Sequence, residues 1–266
     1  MLDDVSNPCK DEFQVFLTEY GGNCVHFHLP KPIHGWREFL GEISIIVIGV
    51  LIALGAEQML ENWHWRDKAD ATTASLQREI GGNYGVAVEA AMVAPCVNRQ
   101  LDVLEAALAK PGFTTAPLYS EGLSQSYIIR TPSRPWNDYS WRAATSEGTV
   151  SHLPVKLREN LPELFAQVVI LELNARQVDV ISWRLQALSL PTAPEQRARS
   201  IEELEELRGH VNYMALVANQ LIGRADFIKM RPATNVIDSQ INASGTVKFC
   251  QAHGLPIGRP APQAPS

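Results

Sequence analysis

Metal coordination is the first chemistry that the types and spacing of the side chains suggest. Residues 24–28 contain one cysteine and two histidines, and His34 follows closely, so this segment holds soft ligands of the kind that zinc and copper prefer. Glu61 and His64 have the Glu-x-x-His spacing of di-iron bundles, but such bundles need a second motif and two further glutamates, and the sequence has no second motif. The first group precedes the apolar segment and is expected to be unstructured. The second is better explained as a polar pair at the level of lipid headgroups. We therefore predict no metal site.

Catalytic chemistry has less support. The acidic run over residues 202–206 could supply paired carboxylates, but it occupies the first turns of a predicted helix, where negative charge complements the helix dipole. Trp136, Tyr139 and Trp141 could line a ligand pocket, although aromatic residues at this spacing more often anchor a short helix to a bundle. The sequence contains no nucleophile elbow, dinucleotide-binding glycine motif, P-loop or HExxH motif. We predict no catalytic residue and no cofactor, and we do not expect an enzyme.

The four cysteines form no CxxC motif, which argues against a zinc ribbon and a thioredoxin-type redox site. Cys96 and Cys250 both fall within the part of the chain that we predict to fold, each beside a predicted helix end. In an oxidising compartment these two are the candidates for a disulfide. Such a bond would close a loop of about 150 residues and stabilise the fold by about 4–5 kcal/mol in the chain-entropy model. In a reducing compartment both would remain thiols.

A membrane-spanning helix is the clearest element that the sequence predicts. Residues 43–56 form an uncharged apolar run, which as a helix covers only about 21 Å of a hydrocarbon core about 30 Å thick. The flanks complete the length, because apolar residues extend the run on both sides. Trp36 before the run, and Trp63 and Trp65 after it, match the aromatic belts of spanning helices. We therefore predict a transmembrane helix with aromatic flanks over residues 36–65.

The charges that border the run are compatible with this span. Glu42 and Glu57 would lie near the two membrane edges, where a carboxylate costs far less than at the centre. The competing interpretation is a secretory signal peptide with a cleavage region in residues 53–56. Against it, the apolar helical pattern continues beyond that region without a polar break, and the segment starts late in the chain.

One face of the predicted span carries small residues. It comprises Glu42, Gly49, Ala53 and Ala56. Gly49 and Ala53 form a small-xxx-small pair, which lets two helices approach closely in lipid and predicts a homo-oligomer through this helix. The alternative is that glycine and alanine occur here because they are common in spanning helices.

Residues 41–63 (GEISIIVIGVLIALGAEQMLENW) resemble the anchor of an uncharacterised family of bacterial single-pass membrane proteins. These proteins carry a G-E-(apolar)-G-(Val/Ile)-L-(Ile/Leu)-A-L segment followed closely by a tryptophan. Residues 76–83 and 141–148 agree with the same family, so the resemblance runs from about residue 29 to 250, with the anchor as its specific part. It implies the membrane topology and a helical fold, and it implies no activity.

After the span, the sequence predicts helices only. Helical spacing of apolar residues continues over residues 60–88, and Pro95 is expected to end or kink that helix. A second helix is predicted over residues 101–108. The prolines of residues 111–135 favour turns and short pieces, and residues 136–146 form another short helix.

Two long helices complete the predicted bundle. Apolar residues recur at spacings of three and four over residues 157–185 and again over residues 204–228. Ser200 and Glu203 have the spacing of a capping box, so the second helix is expected to start there. Because the link between the two helices is short, they should be antiparallel. We predict an all-α fold, in which one transmembrane helix is followed by a bundle of four to five helices that includes this long antiparallel pair.

The predicted organisation has four parts. Residues 1–35 form an N-terminal segment expected to be disordered, and residues 36–65 form the span. Residues 66–253 form a helical soluble domain, and residues 254–266 form a mobile tail rich in proline and alanine.

Charge bears on partners and orientation. The net charge of −6 argues against a nucleic-acid partner. Lys31 and Arg37 before the span nearly balance Arg66 and Lys68 after it, so the positive-inside rule gives little direction. For this layout the commoner plan has a cytoplasmic N-terminus and a periplasmic domain in the bacterial inner membrane.

The partners expected are the lipid bilayer, a second copy of the chain, and a protein partner that the sequence does not identify. The function expected first is that of an envelope interaction or scaffold protein. The alternative is a periplasmic ligand-sensing domain without its own signalling module.

Overall fold

The computed structural model describes residues 35–110, 129–187 and 194–258, and the chain divides into two compact units, residues 1–56 and 57–266. All regular structure within the described residues is helical, which confirms the predicted all-α fold. The helices are α1 (Trp36–Leu108), α2 (Tyr139–Ser146), α3 (Val155–Ala187), α4 (Pro194–Phe227), α5 (Thr234–Ala243) and α6 (Gly245–Ala252), with a short 3₁₀ turn (Thr149–His152) between α2 and α3.

In the first unit, the described residues belong almost entirely to the N-terminal part of α1. Its aliphatic side chains are exposed, and Ile45 and Ile52 expose 74% and 67% of their surface. The most apolar window of α1 has a mean hydropathy of 2.4, and none of that window is buried. Among the described helices, α1 is thus the one long and apolar enough to cross a membrane.

The second unit is a bundle built around the later part of α1 together with α3 and α4. Its core contains the apolar series that recur at spacings of three and four in the sequence. The largest fully buried side chains are Leu76, Ile80, Tyr84, Leu101, Leu161, Leu164, Phe165, Leu171, Ile181, Leu204, Leu207 and Leu221.

The helices α3 and α4 form the predicted antiparallel pair. Arg224, near the end of α4, forms an ion pair with Glu163 near the start of α3. At the other end of the pair, Arg184 Nη1 on α3 lies 3.0 Å from Glu203 Oε1 on α4. Both contacts require the helices to run in opposite directions.

Pro95 was expected to end or kink the helix, and the structure excludes the end. The helix α1 continues through Pro95 to Leu108, so no separate helix over residues 101–108 exists. Pro95 itself is exposed, whereas Ala94 and Cys96 on either side of it are buried. Packing of the flanking residues therefore outweighs the roughly 3 kcal/mol that a proline costs inside a helix.

Two predicted helix starts also differ from the structure. The helix α4 begins at Pro194, so Ser200 lies inside the helix, where its hydroxyl donates to the carbonyl of Gln196 at 3.0 Å rather than capping an end. Proline suits the first helical position because its missing N–H is not needed there. The short helix α2 begins at Tyr139, and Trp136 lies buried in the extended chain before it.

The first residues of the predicted tail contact the bundle. Mobility was expected from Gly254 onward, but the N–H of Gly258 donates to the carbonyl of Met92 on α1 at 2.7 Å, and Ile257 packs against the core. Residues 259–266 and the N-terminal residues 1–34, for which disorder was predicted, lie outside the described residues.

Candidate functional site

The two cysteines proposed as a pair lie together in the bundle. Cys96 on α1 and Cys250 on α6 form a disulfide, with 2.03 Å between the sulfurs and 6.1 Å between the Cα atoms. Both side chains are fully buried. The bond ties the middle of the described chain to its last helix, and it gives the bundle a covalent closure that suits an oxidising compartment.

Polar side chains on α1 hold the non-helical segment of residues 129–138, which precedes α2. Asn83 donates to the carbonyl of Asn137 at 2.6 Å and accepts from the N–H of Asn137 at 2.9 Å. Gln100 pairs with the backbone of Arg130 in the same two-way manner, at 3.3 and 2.7 Å. Each side-chain amide thus makes the pair of hydrogen bonds that a neighbouring strand makes in a sheet. These bonds satisfy backbone groups that would otherwise be costly to bury.

Two glutamates on α1 extend this arrangement. Glu79 accepts the N–H of Ser140 at 2.7 Å, at the start of α2, where backbone donors have no partner within the helix. Glu89 is buried and accepts from Arg134 Nε at 2.5 Å and from the hydroxyl of Ser244 at 2.6 Å. Ser244 in turn accepts the N–H of Val247 at 3.1 Å and so caps α6. These contacts anchor and stabilise the bundle.

The side chain of Tyr84, on α1, is buried and lies near the end of α4. The Arg231 guanidinium lies 5.6 Å from the centre of the Tyr84 ring and 3.5 Å from Asp226 Oδ2. Burial, followed by the negative charge of Asp226, raises the pKa of Tyr84 from 10.0 to about 12. Tyr84 therefore stays protonated at physiological pH and acts as a packing and hydrogen-bonding group.

The residues predicted to anchor the chain in a membrane are mostly exposed on α1. Trp36 and Trp63 expose 75% and 71% of their surface. The small-residue face predicted from Glu42, Gly49, Ala53 and Ala56 is exposed as well, as is Glu57. An added Cβ at Gly49 would meet nothing within 4 Å, so this face is open to a second helix.

Trp65 behaves differently from the other predicted anchor residues. Its ring stacks on His152 of the 3₁₀ turn at 3.9 Å between centroids, with the planes 8° apart. Lys68 Nζ lies 5.3 Å from the centre of the same ring. Trp65 therefore packs against the bundle.

The structure describes only the second of the two candidate metal groups. Residues 24–28 and His34 lie outside the described residues, and Glu61 and His64 are both exposed on α1. Within the three described ranges, no three His, Cys, Asp or Glu side chains are grouped closely enough to hold a metal ion.

A row of apolar side chains on the outer face of α3 is the feature that sequence reasoning missed. Val169, Leu173, Val180 and Trp183, here called the α3 stripe, expose 41%, 56%, 50% and 65% of their surface. They recur at spacings of four, seven and three, which is the heptad spacing of helix–helix contacts. The sequence does contain a second apolar series on this helix, offset from the core series. Because α3 is apolar on both faces, the sequence alone does not show which of the two series is exposed.

Comparison with known proteins finds no relative of this chain. No protein-family model, curated protein or solved structure matches this chain.

Proposed function

We propose that this protein is an interaction protein of the bacterial envelope. One helix anchors it in the inner membrane with the N-terminus in the cytoplasm. Its disulfide-closed bundle lies in the periplasm and binds a second copy of the chain through the α3 stripe. The observation that carries the proposal is the exposure of this stripe, because large aliphatic and aromatic side chains at heptad spacing rarely stay open to water on one helix.

The stripe is suited to pairing with itself. In a symmetric dimer the same patch meets its own copy, so one apolar row satisfies both partners. Arg176 lies within the row and forms an ion pair with Glu172 one turn earlier. A charged residue at a seam position favours one register over others, as polar residues do in coiled coils.

The span supports a second copy independently of the stripe. Gly49 and Ala53 offer a flat surface on which another helix can pack closely in lipid. Confinement of both copies to one membrane also raises their effective concentration, so a weak contact between the two stripes is sufficient for dimer formation.

The periplasmic location rests on the cysteine pair. Disulfides persist in the periplasm and are rare in the reducing cytoplasm. The test is the state of Cys96 and Cys250 in intact cells, which are quenched with acid and labelled with a heavy maleimide before and after reduction. We expect both cysteines to resist labelling until they are reduced. Immediate labelling of both would place the bundle in the cytoplasm and overturn this part of the proposal.

The contact between copies is tested by photo-crosslinking in native membranes. A benzoylphenylalanine in place of Leu173 or Trp183 should give an adduct at twice the mass of the chain. The same group in place of Gln251, an exposed residue on α6, serves as the matched control and should give far less. Leu173→Glu, combined with the crosslinker at Trp183, should abolish the dimer adduct. Adducts with other proteins alone, or none at all, would exclude self-association through this face.

A further inference from the structure

A polar cleft lies between α3 and α4, beside the start of α3 and the end of α4. Its volume is about 490 Å³, which is in the range of small-molecule sites. Each helix contributes three residues at a spacing of three or four, so the two sets face each other. The lining residues are Asn160, Glu163 and Gln167 from α3, and Gln220, Arg224 and Phe227 from α4.

Two buried polar atoms beside this cleft have no hydrogen-bond partner among the residues that the structure describes. Gln167 exposes only 8% of its surface, and its Oε1 has no hydrogen-bond partner within the described part of the chain. Nε of Arg224, across the cleft, likewise has no hydrogen-bond partner among the described residues. Both atoms are themselves shielded from solvent. Buried polar groups are almost always hydrogen-bonded, so a donor and an acceptor without partners beside one cleft favour a polar ligand that reaches them by displacing the side chains around them.

The charges in the cleft define what that group must carry. Glu163 and Arg224 form an ion pair with each other, and the Glu163 side chain is 61% exposed while that of Arg224 is 23% exposed. The lining residues therefore offer one negative and one positive group, and a ligand that separates these two must carry both charges to compensate both. A carboxylate matches the guanidinium of Arg224, and an ammonium matches both the carboxylate of Glu163 and the amide oxygen of Gln167.

We infer that this cleft binds a free α-amino acid, whose carboxylate pairs with Arg224 and whose ammonium pairs with Glu163 and Gln167. The ligand takes the place of the direct ion pair between Glu163 and Arg224. Phe227 offers an apolar surface to the ligand side chain. Lys156 Nζ positions Phe227, because it donates to the Phe227 carbonyl at 2.6 Å and lies 4.5 Å from the centre of the Phe227 ring. This site goes beyond the proposed self-association, because no residue of the α3 stripe lines the cleft.

The experiment uses the full chain in lipid nanodiscs and measures thermal unfolding with each common L-amino acid in turn. A ligand that binds only the folded state should raise the melting temperature by about 5–10 °C at about a hundredfold excess over Kd. Calorimetric titration of the best amino acid then gives its affinity directly. Its N-acetyl derivative and its methyl ester, each with one charge removed, should bind at least about tenfold more weakly.

Variants assign the binding to the cleft. Glu163→Gln changes an exposed side chain and should weaken binding at least about tenfold, as should Arg224→Gln. Arg184→Gln is the matched control, because Arg184 also joins α3 to α4 through Glu203 and Glu206 but lies outside the cleft. It should bind like the wild type. If no amino acid binds, or if Glu163→Gln binds as tightly as the wild type, the buried polar atoms of Gln167 and Arg224 receive no ligand and the inference fails.

Discussion

Cys96 and Cys250 are bonded to each other although 154 positions separate them in the sequence. The bond fixes α6 against the buried face of α1 at the point where Pro95 interrupts the hydrogen bonds of that helix. The N–H of Gly258, shortly after α6, reaches the carbonyl of Met92 on the same turn. The last helix and its extension therefore reinforce α1 where its own backbone is weakest.

Loss of this disulfide should destabilise the bundle strongly. In the chain-entropy model, Cys96→Ala with Cys250→Ala removes about 4–5 kcal/mol for a loop of this length. The melting temperature should then fall by about 8–20 °C for a domain of this size. Thermal unfolding in nanodiscs measures the change, with Cys9→Ala and Cys24→Ala as the matched control pair. An unchanged melting temperature in the first double variant would show that the bond contributes nothing to folding.

The buried carboxylate of Glu89 should matter far more than an exposed one. Glu89→Gln weakens the bonds to Arg134 and Ser244 and should cost about 2–3 kcal/mol, because hydrogen bonds to charged groups are worth that much when buried. Glu147→Gln removes an exposed ion pair with Lys68 and should cost less than about 1 kcal/mol. Denaturant unfolding of both variants gives the comparison. Equal losses would contradict the structural role of Glu89.

Substitution by alanine should change the free energy of unfolding differently at two glycines of α1. A Cβ at Gly82 meets nothing within 4 Å, so Gly82→Ala should stabilise the helix by about 0.5–1 kcal/mol. A Cβ at Gly85 would lie 1.3 Å from Gln240 Oε1 on α5, so Gly85→Ala must displace that side chain.

We therefore expect Gly85→Ala to lose the propensity gain, and Gln240→Ala in the same chain to restore it. The free energy of unfolding of the four proteins, analysed as a double-mutant cycle, isolates this contact. If Gly85→Ala stabilised the chain as much as Gly82→Ala, the close approach of Gln240 would be refuted.

The parts of the fold that follow from local pattern were predictable. The series that includes Leu161, Leu164 and Leu171 specified α3, and its counterpart on α4 specified the antiparallel partner. The cysteine pair could also be predicted, because both residues lie in the part of the chain predicted to fold and neither belongs to a CxxC motif, although the helix end expected beside Cys96 does not exist.

The remaining features depend on tertiary packing, which local pattern does not reveal. Pro95 stays helical only because its neighbours are buried, and Ser200 has the spacing of a cap in the middle of a helix. Val169 and Leu173 belong to an apolar series that looks like core but is exposed. Gln167 lies beside the core residue Val168, and only the structure shows that its oxygen lacks a partner in the described chain.

Tyr84 should make the bundle sensitive to alkali. Its pKa is raised from 10.0 to about 12, first by burial and then by the charge of Asp226. Below pH 10 the phenol is neutral in both the folded and the unfolded chain, so its contribution to stability is complete.

Between pH 10 and about 12, the unfolded chain ionises at this residue while the folded chain does not, so stability falls with rising pH. Two pH units correspond to a loss of about 2–3 kcal/mol. Tyr84→Phe has no proton to lose and should show a correspondingly smaller alkaline loss, whereas Tyr213→Phe, at a residue 45% exposed, should follow the wild type. Denaturant unfolding below pH 10 and near pH 12 measures these differences. If Tyr84→Phe and the wild type lost the same stability over this window, the phenol of Tyr84 would not be held in its neutral form by the fold.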